Sequence, residues 1–597
     1  MKKRFFYILG FYLILTAIFT FPLVFKLKSY ILGTYTSDEP FGWLSYFWWL
    51  KYAFQNHLPY TKYSVIAAPF GIDISSYIIY PFWNAFTKWL SVFVGYILSY
   101  NIQILFSFAL SGVTMFYLAF AVTKDKISSL FSGVIYAFCP YHFARAWQHL
   151  SLAQIQWMPL YLLSLVKLKE RPGYKNMFLS IGAIFLLASS ELHYFYFAYI
   201  ATGLFLVIYF IFCKKKSGDY LPFLKKTLVV IAAGIIFVIP AVANTVLKKA
   251  FLQKESIRPS AWSVVRPFDD LFAQSARPLS YFLPSTAHPV FGRFTESFIG
   301  TSIYGESLTE HTLYLGWIPL ILAFVAFISW KRRKKLRVTS YELRVTDKEP
   351  FYIGFFAFLA IAAWLFSQPP WWEIGSIKIY MPSFFVYRLL PMFRASCRFG
   401  ILVMLAIAVL SAFGLKFILE KFSDRRIRAI VICTFFSLLL FEFWNYPPLK
   451  VINVGRFPQV YYWLKEHPGY IIIAEYPLDA GSPNELYKFY QTLHEKKIIN
   501  GSTPYSYANK VAKKIIKLSS QNTAGILKRI GVKYALVHRE GYLETDLIED
   551  REELDKIPKN KGLKFIRSFP AQECPDEGIM CVQKSGPIDV YEVIGEK

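Results

Sequence analysis

The sequence predicts a polytopic α-helical membrane protein with about 11 transmembrane helices, a cytoplasmic N-terminus, an external C-terminus and a C-terminal soluble α/β domain. Its 597 residues are 55% hydrophobic, 19% aromatic and only 18% charged, which is typical of a membrane protein that carries some water-soluble mass. Long apolar runs recur through residues 1–449, and basic clusters separate them. Over residues 450–597, short strand-like runs alternate with helical patterns instead.

The first predicted span covers residues 5–25, and Lys2, Lys3 and Arg4 before it place the N-terminus in the cytoplasm. This run is too long for a cleavable signal peptide and lacks a small-residue cleavage site. A long outer loop follows over residues 27–99, and its aromatic second half, residues 80–99, predicts helix lying at the membrane interface.

The later spans follow from apolar length, and the basic connections between them orient each one. A second large outer loop is predicted at residues 248–311, and the odd number of spans places the tail outside. The predicted spans are 100–121, 127–141, 151–167, 177–190, 194–212, 227–247, 312–330, 351–367, 398–419 and 429–446.

The net charge of +27 raises the question of a nucleic-acid partner. The positive residues, however, fall largely in short loops between spans, such as residues 331–335. In that position they orient the spans and meet anionic lipid. The charge pattern therefore indicates a lipid bilayer of the cell membrane as the partner and argues against nucleic acid.

The tail, residues 450–597, predicts an extracytoplasmic α/β domain, with strands near 471–474, 534–537 and 590–594 and helix over 508–529. It has no Gly-rich phosphate loop. Its polar candidates Glu475, His494 and His538 are interpreted mainly as structural.

Cys574 and Cys581 lie in this tail with six residues between them, a spacing that suits a disulfide-closed turn in an oxidising compartment. Two unpaired thiols are the alternative. The other four cysteines fall in or beside predicted spans, where a thiol usually serves as a small apolar side chain.

An acidic pair, Asp38 and Glu39, follows the first span in a loop dense with aromatic residues. Held where headgroups meet water, such a pair can supply a base to a lipid-linked substrate. Adjacent residues do not share a face of a helix or strand, so one carboxylate would act as base while the other binds a ligand or caps a helix. We therefore take Asp38 and Glu39 as the catalytic candidates.

Two predicted spans, 127–141 and 177–190, are shorter than a full crossing needs. Their outer ends are expected below the membrane surface, so that His142, Arg145, Glu191 and His193 line a recess open to the outside. The alternative is that these helices tilt or extend and the four residues are merely interfacial. His149 lies seven residues after His142 on one helical face, but the pair lacks a third ligand, which argues against zinc.

Arg394 and Arg398 are four residues apart, which predicts one helical turn at the outer end of a span. Two planar guanidinium groups at that level suit a phosphate or pyrophosphate. The alternative is that both snorkel to lipid headgroups. Arg394 and Arg398 complete the predicted substrate-binding set, which otherwise holds His142, Arg145, His149, Glu191 and His193.

Several stretches carry a family resemblance: Asp38-Glu39 with Trp43 and Trp48-Trp49, residues 68–73, 149–160, 279–289, 314–316, 393–399 and 531–538. Together with one span before a long acidic outer loop, they resemble the GT-C superfamily of integral-membrane glycosyltransferases. More closely, the chain is similar to bacterial YfhO-type polytopic membrane proteins. The likeness covers nearly the whole chain.

This resemblance implies an outward-facing glycosyltransferase of cell-envelope glycan assembly, which moves a sugar from a polyprenyl-phosphate donor to a glycan, lipid or protein acceptor. It implies that Asp38, and by position Glu39, activates the acceptor or binds a metal. A leaving phosphate needs cationic side chains to hold its charge, a role that suits Arg394, Arg398 or Arg145. No cofactor is required by the sequence; a divalent cation, Mg or Mn, would bind at Asp38 or Glu191. The alternatives are a non-catalytic envelope scaffold and a lipid-linked solute transporter, although no internal repeat supports the transporter.

Overall fold

The computed structural model describes residues 2–33, 39–74, 81–213, 220–254, 267–305, 307–337, 349–444, 451–478, 484–502, 506–543, 548–575 and 580–595. The helices are α1 Lys2–Phe19, α2 Glu39–Gln55, α3 Pro81–Val94, α4 Tyr96–Thr123, α5 Lys126–Ala137, α6 Pro140–Gln148, α7 Trp157–Glu170, α8 Tyr174–Ala188, α9 Leu192–Cys213, α10 Tyr220–Lys254, α11 Asp269–Ala273, α12 Gly292–Glu296, α13 Leu308–His311, α14 Trp317–Arg337, α15 Glu349–Ser367, α16 Pro382–Leu389, α17 Gly400–Leu419, α18 Arg425–Glu442, α19 Gln459–Glu466, α20 Glu485–His494, α21 Tyr507–Ala512, α22 Gln521–Arg529, α23 Arg539–Leu543 and α24 Ile548–Lys556.

The strands are β1 Tyr30–Leu32, β2 Lys62–Tyr63, β3 Ile72–Asp73, β4 Trp371–Ile374, β5 Ile377–Tyr380, β6 Val451–Asn453, β7 Ile472–Tyr476, β8 Lys497–Ile498, β9 Val532–His538, β10 Leu563–Phe569, β11 Met580–Cys581 and β12 Ile588–Val593. Short 3₁₀ helices occur at Leu23–Phe25, Ser396–Phe399 and Ile557–Lys559.

Each of the eleven predicted spans overlaps a helix. Among the described residues, five helices are long and apolar enough to cross a bilayer: Tyr96–Thr123, Leu192–Ile211, Tyr220–Pro240, Glu349–Ser367 and Ser396–Leu419. The chain is therefore a multi-pass membrane protein. Eleven crossings and their orientation stay a prediction.

The two segments predicted to be short are short helices. α5 has 12 residues and α8 has 15, so they extend about 18 Å and about 22 Å, against ~30 Å of hydrocarbon. α5 begins where Asp125 accepts a hydrogen bond from the Ser128 backbone N–H, 2.8 Å away.

By its internal contacts the chain divides into two compact units. The first, the helical unit, comprises residues 1–21, 103–240 and 264–449. Its central helix is α17, in which every residue except Lys416 and Ile418 is buried. It packs against α5, α14 and α15. The Ser132 and Ser411 hydroxyls donate to backbone carbonyls of neighbouring helices, each at 2.8 Å, which satisfies these two polar groups within the apolar core.

The second unit, the mixed unit, comprises residues 22–102, 241–263 and 450–597. Its main sheet has the order β10-β12-β9-β7-β8, in which β8, β7 and β9 are parallel and β12 and β10 antiparallel. A smaller sheet has the order β1-β6-β11. The predicted helix over residues 508–529 is two helices, α21 and α22. A disulfide joins Cys574 and Cys581.

The mixed unit differs from the predicted division at residue 450, because much of the first loop folds with the tail. β1 of that loop pairs with β6 of the tail. The segment 65–68 continues the main sheet beyond β8, where the Ala67 N–H donates to Asn500 and the Ile498 N–H donates to Val65. These contacts cover strand edges that would otherwise expose unpaired backbone groups, which is the physical reason for the grouping.

The close approach of α14 to α17 depends on Gly414, since a Cβ there would overlap the backbone carbonyl of Leu322. We expect Gly414→Ala to lower the free energy of unfolding by about 1–3 kcal/mol, because backbone cannot yield as a flexible side chain does. Thermal unfolding of the detergent-solubilised protein measures this. Gly203→Ala in α9 is the matched control, because a Cβ there meets nothing within 4 Å. Equal melting temperatures for the two variants would contradict the packing argument.

Candidate functional site

The centre of the candidate site is Glu310, whose carboxylate lies between two arginines of the helical unit. It accepts from Arg145 Nη2 at 2.8 Å and from Arg398 Nη2 at 2.6 Å and Nε at 3.1 Å. α13 positions Glu310, and the Ser307 side chain caps that short helix by accepting from the Glu310 backbone N–H. α13 packs against α6, which carries Arg145. We call Arg145, Glu310, Arg398, His193 and Glu191 the Glu310 network.

Burial alone would raise the pKa of Glu310, but Arg145 and Arg398 hold it well below its usual range. Burial would likewise lower the pKa of Arg145, and Glu310 more than offsets this, so that the pKa is raised. Both groups are therefore ionised. Arg145 has no exposed surface and Glu310 is 5% exposed, so their charges depend on each other.

The network continues from Arg398 to Glu191 through His193. Arg398 Nη1 lies 3.3 Å from His193 Nε2, and His193 Nδ1 lies 2.7 Å from Glu191 Oε1. Because a guanidinium only donates, His193 Nε2 must accept, and the imidazole proton sits on Nδ1 and is donated to Glu191.

Glu191 is also held by Ser151, whose hydroxyl donates to Oε2 at 2.8 Å. Burial raises the pKa of Glu191, but the hydrogen bond from His193 and the charge of Arg398 outweigh it and lower the pKa to about 2. The network thus holds two arginines and two carboxylates, with formal charges that cancel. It reaches the surface of the helical unit at Arg398 and His193, whose side chains are 15% and 16% exposed.

Arg145 keeps unused hydrogen-bonding capacity. Its Nε and Nη1 are buried and have no partner among the residues that the structure describes. The Tyr141 ring lies 4.7 Å from the guanidinium carbon and supplies a cation–π contact. Two buried donors beside a closed ion pair are suited to an anionic oxygen or a water molecule.

Arg394 and Arg398 do not form the single helical turn that their spacing predicts. Arg394 precedes the 3₁₀ helix Ser396–Phe399 and pairs with Asp270 of α11, whereas Arg398 pairs with Glu310. The Arg394 side chain is 34% exposed. Phe393 packs edge-on against His193 with ring centroids 4.9 Å apart, which places Arg394 next to the network.

His142 does not join the other predicted recess residues. It is fully buried, with Nδ1 2.7 Å from the Ala137 carbonyl and Nε2 2.9 Å from the Ala153 carbonyl. Burial lowers its pKa to about 4, so the ring is neutral and only one of its nitrogens donates to a carbonyl. The Ser107 hydroxyl lies 3.0 Å from Nε2, and these contacts tie α6 to its neighbours. His149, at the end of α6, is near enough to Glu310 to help lower the pKa of that carboxyl.

The catalytic candidates of the first loop belong to the mixed unit. Asp38 lies outside the described residues. Glu39 is half-buried in the first turn of α2, and its Oε1 accepts from Trp43 Nε1 at 3.1 Å. Among the described residues, no three His, Cys, Asp or Glu side chains converge as metal ligands.

No protein-family model matches the chain, and no curated protein matches it significantly. Among solved structures, the arabinofuranosyltransferase AftD from mycobacteria is similar over 100% of this chain and 42% of its own, with 13% identity and a TM-score of 0.52. The chain has the GT-C fold. This confirms the predicted superfamily resemblance as one of fold, and the closer likeness to YfhO-type proteins stays a prediction.

The chain spans less than half the length of AftD. Two further solved structures are more weakly similar. An Archaeoglobus fulgidus oligosaccharyltransferase in complex with Zn and sulfate has 13% identity, a TM-score of 0.49 and coverage of 90% of this chain and 68% of its own. ArnT from Cupriavidus metallidurans has 11% identity, a TM-score of 0.40 and coverage of 95% of both chains.

Glu310 is not among the site residues that the sequence predicts. Its signal is present, since Ser307-Leu308-Thr309-Glu310 has the Ser-x-x-Glu spacing of a helix start. Two arginines predicted at membrane depth also require a carboxylate partner. Neither signal identifies which carboxylate it is, because the partners are 165 and 88 residues from Glu310.

We expect Glu310→Gln to lower the free energy of unfolding by about 3–5 kcal/mol, because Arg145 is left as an uncompensated buried charge. Denaturant unfolding in detergent measures the loss. Glu296→Gln, on the exposed end of α12, makes the same chemical change without a buried partner, and its effect should stay within about 0.5 kcal/mol. A Glu310→Gln protein as stable as the control would overturn the assigned role of this carboxylate.

The lowered pKa of Glu191 predicts how the free energy of unfolding depends on pH. Its folded-state pKa of about 2 lies below the ordinary 4.5, so ionised Glu191 stabilises the fold above pH 4.5, and this contribution is lost as the pH falls toward 2. The difference in unfolding free energy between the wild type and Glu191→Gln should therefore be constant above pH 4.5 and shrink below it. Melting curves across this range measure it, and a difference independent of pH would be the contrary result.

Proposed function

We propose that this protein is a membrane glycosyltransferase that moves a sugar from a polyprenyl-phosphate-linked donor to an acceptor outside the cytoplasm. The observation that carries the proposal is the GT-C fold in a chain whose described residues include five apolar helices long enough to cross a membrane. The argument is one of fold analogy, to which the charged side chains add a chemical reason. The acceptor is a glycan, lipid or protein of the cell envelope, and residues 450–597 lie on the outer side.

The donor phosphate requires cationic side chains as it leaves, because its developing charge must be stabilised. Arg394 is the best placed, since it is the most exposed of the three candidate arginines and lies beside the Glu310 network. Arg398 is held on one side by Glu310 and on the other by His193, so its guanidinium needs little reorganisation to meet a phosphate oxygen. Arg145 positions Glu310, and its two unpartnered donors add positive potential.

The acceptor hydroxyl requires a proton acceptor, the role we propose for Asp38. Glu39 follows it at the start of α2, where Trp43 orients the carboxylate. A divalent cation, Mg or Mn, is compatible with these carboxylates. At Glu191, however, both oxygens are engaged, by His193 and Ser151, and this disfavours metal binding there.

Turnover of labelled polyprenyl-phosphate sugars by the purified protein in lipid nanodiscs tests the proposal. We expect release of polyprenyl phosphate to fall about 100-fold or more in Asp38→Asn and in Arg394→Gln, with the melting temperature unchanged, because each variant removes a group that acts on the reacting atoms. Asp73→Asn, in the same loop, and Arg293→Gln, on exposed α12, are the matched controls.

Retention of full turnover in both variants would overturn the assigned roles. Absence of turnover with every donor in a broad panel would overturn the transferase itself and favour a non-catalytic envelope scaffold. In that case Asp38→Asn should also leave envelope assembly in cells unchanged.

A further inference from the structure

A second polar cluster lies in the mixed unit, at the carboxyl ends of the adjacent parallel strands β7 and β9. Glu475 is the penultimate residue of β7, and His538 is the last residue of β9. His538 Nε2 lies 2.7 Å from Glu475 Oε2, and the Tyr461 hydroxyl donates to the same oxygen at 3.2 Å. The carboxyl edge of a parallel sheet is where α/β folds place their ligands.

The cluster presents unsatisfied acceptors. Glu475 has no exposed surface, and its Oε1 is buried without a partner among the residues that the structure describes. Such an oxygen is costly unless a hydroxyl or water donates to it. His538 Nε2 faces Glu475 as a donor, and the other ring nitrogen, Nδ1, accepts a hydrogen bond whenever it carries no proton. Within the described part of the chain Nδ1 has no hydrogen-bond partner, and the His538 side chain is 13% exposed.

Aromatic rings surround these acceptors. The Tyr487 ring lies against His538 with centroids 4.8 Å apart at an interplanar angle of 30°. The Tyr461 ring stacks on Tyr490 at 4.4 Å. Tyr487 is half-buried, so part of its surface faces solvent beside His538. Ring faces next to hydrogen-bond acceptors can cover the apolar C–H face of a sugar while its hydroxyls are bound.

The same end of the mixed unit carries the start of α2. α2 packs along α20, and Gly42 of α2 abuts the Glu485 carboxylate at the first turn of α20. Two residues further along α20, Tyr487 contacts His538. A short series of contacts therefore joins the helix that begins at Glu39 to the Glu475–His538 pair.

The charge and hydrogen-bonding groups of the cluster favour one class of ligand. A buried carboxylate with an unused oxygen repels anions and needs a hydrogen-bond donor. A metal ion would need more ligands than one carboxylate and one imidazole, and no third His, Cys, Asp or Glu joins them among the described residues. A neutral, polyhydroxylated molecule can donate to the partly exposed His538 and pack against the aromatic rings.

We propose that Glu475, His538 and Tyr487 form a saccharide-binding subsite for the hydroxyl-bearing acceptor. Assigning the bound saccharide to the acceptor rests on the proposed function, whereas the subsite itself rests on the geometry of the mixed unit. His538 accepts a hydrogen bond from a sugar hydroxyl, the buried Glu475 orients the His538 imidazole, and Tyr487 covers one face of the sugar ring. The tail thereby contributes to acceptor recognition.

The test is saturation-transfer NMR and calorimetric titration of the full chain in nanodiscs, with no donor present, against short neutral gluco-, galacto-, manno- and arabino-oligosaccharides. We expect at least one class to bind, with the Kd raised about tenfold or more in His538→Gln, which loses the acceptor of a sugar hydroxyl, and in Glu475→Gln, which loses the carboxylate that orients the imidazole. Gln at position 538 keeps a donor near the Nε2 position and removes the Nδ1 acceptor.

Glu592→Gln is the matched control, because Glu592 lies in the same sheet, pairs with Tyr534 and is far along β9 from His538. Its Kd should equal that of the wild type. If the buried Glu475→Gln protein does not fold, the partly exposed His538→Gln decides alone. The proposal is overturned if no neutral oligosaccharide binds, if all variants bind equally, or if Mn²⁺ or an amino sugar binds instead and is lost in His538→Gln.

These outcomes are independent of the transferase test. Oligosaccharide binding by a protein that turns over no donor would uphold the subsite and overturn the proposed reaction. Donor turnover without oligosaccharide binding would uphold the proposed reaction and overturn the subsite.

Discussion

The shared carboxylate of Glu310 is the interaction on which the helical unit depends. It pairs with Arg145, which is fully buried, and with Arg398, which lies two residues before the buried helix α17, while Glu191 supplies the second negative charge of the network. One side chain therefore connects α6, α13 and the start of the central helix. A charge of either sign left alone at such depth would cost several kcal/mol, so the three residues are stable only as a set. The pairing therefore lies at the start of the helix against which α5, α14 and α15 pack.

The same pairing gives the proposed chemistry its geometry. Arg398 cannot change rotamer without breaking its bonds to Glu310 and its contact with His193, so it is oriented before any ligand arrives. Preoriented charges stabilise a leaving phosphate more than mobile ones, because no reorganisation is needed during the reaction. Arg394 differs, since it is paired at the surface with Asp270 and can exchange that partner for an anionic ligand at lower cost. The helical unit thus holds one arginine with a fixed orientation, Arg398, and a nearby arginine that can exchange its ion-pair partner, Arg394.

The mixed unit shows how unpaired strand edges decide which segments fold together. Length and charge predict an outer loop before residue 100 and an independent domain after residue 450. Neither segment contains a sequence pattern that indicates pairing with the other. In the structure β1 pairs with β6, and the segment 65–68 covers β8, because an open edge in either place would leave backbone donors and acceptors unsatisfied. The acidic loop and the tail are consequently parts of one folding unit. This grouping brings the start of α2 and the Glu475–His538 pair to the same end of that unit.

The sequence by itself determined that the chain is a multi-pass membrane protein, and it predicted apolar segments that each overlap a helix and strands near 471–474, 534–537 and 590–594. Apolar length and periodicity are local properties of the chain, which is why they can be read from sequence. It also identified most of the charged residues that the Glu310 network contains. Only the tertiary structure decided that Glu310 is their centre, that His142 is a neutral buried ring and that Arg394 and Arg398 have different partners. These outcomes depend on contacts between residues far apart along the chain, as with Arg145 and Glu310 at a separation of 165. Burial then determines which of the many carboxylates can neutralise a given arginine, and no local pattern encodes that choice.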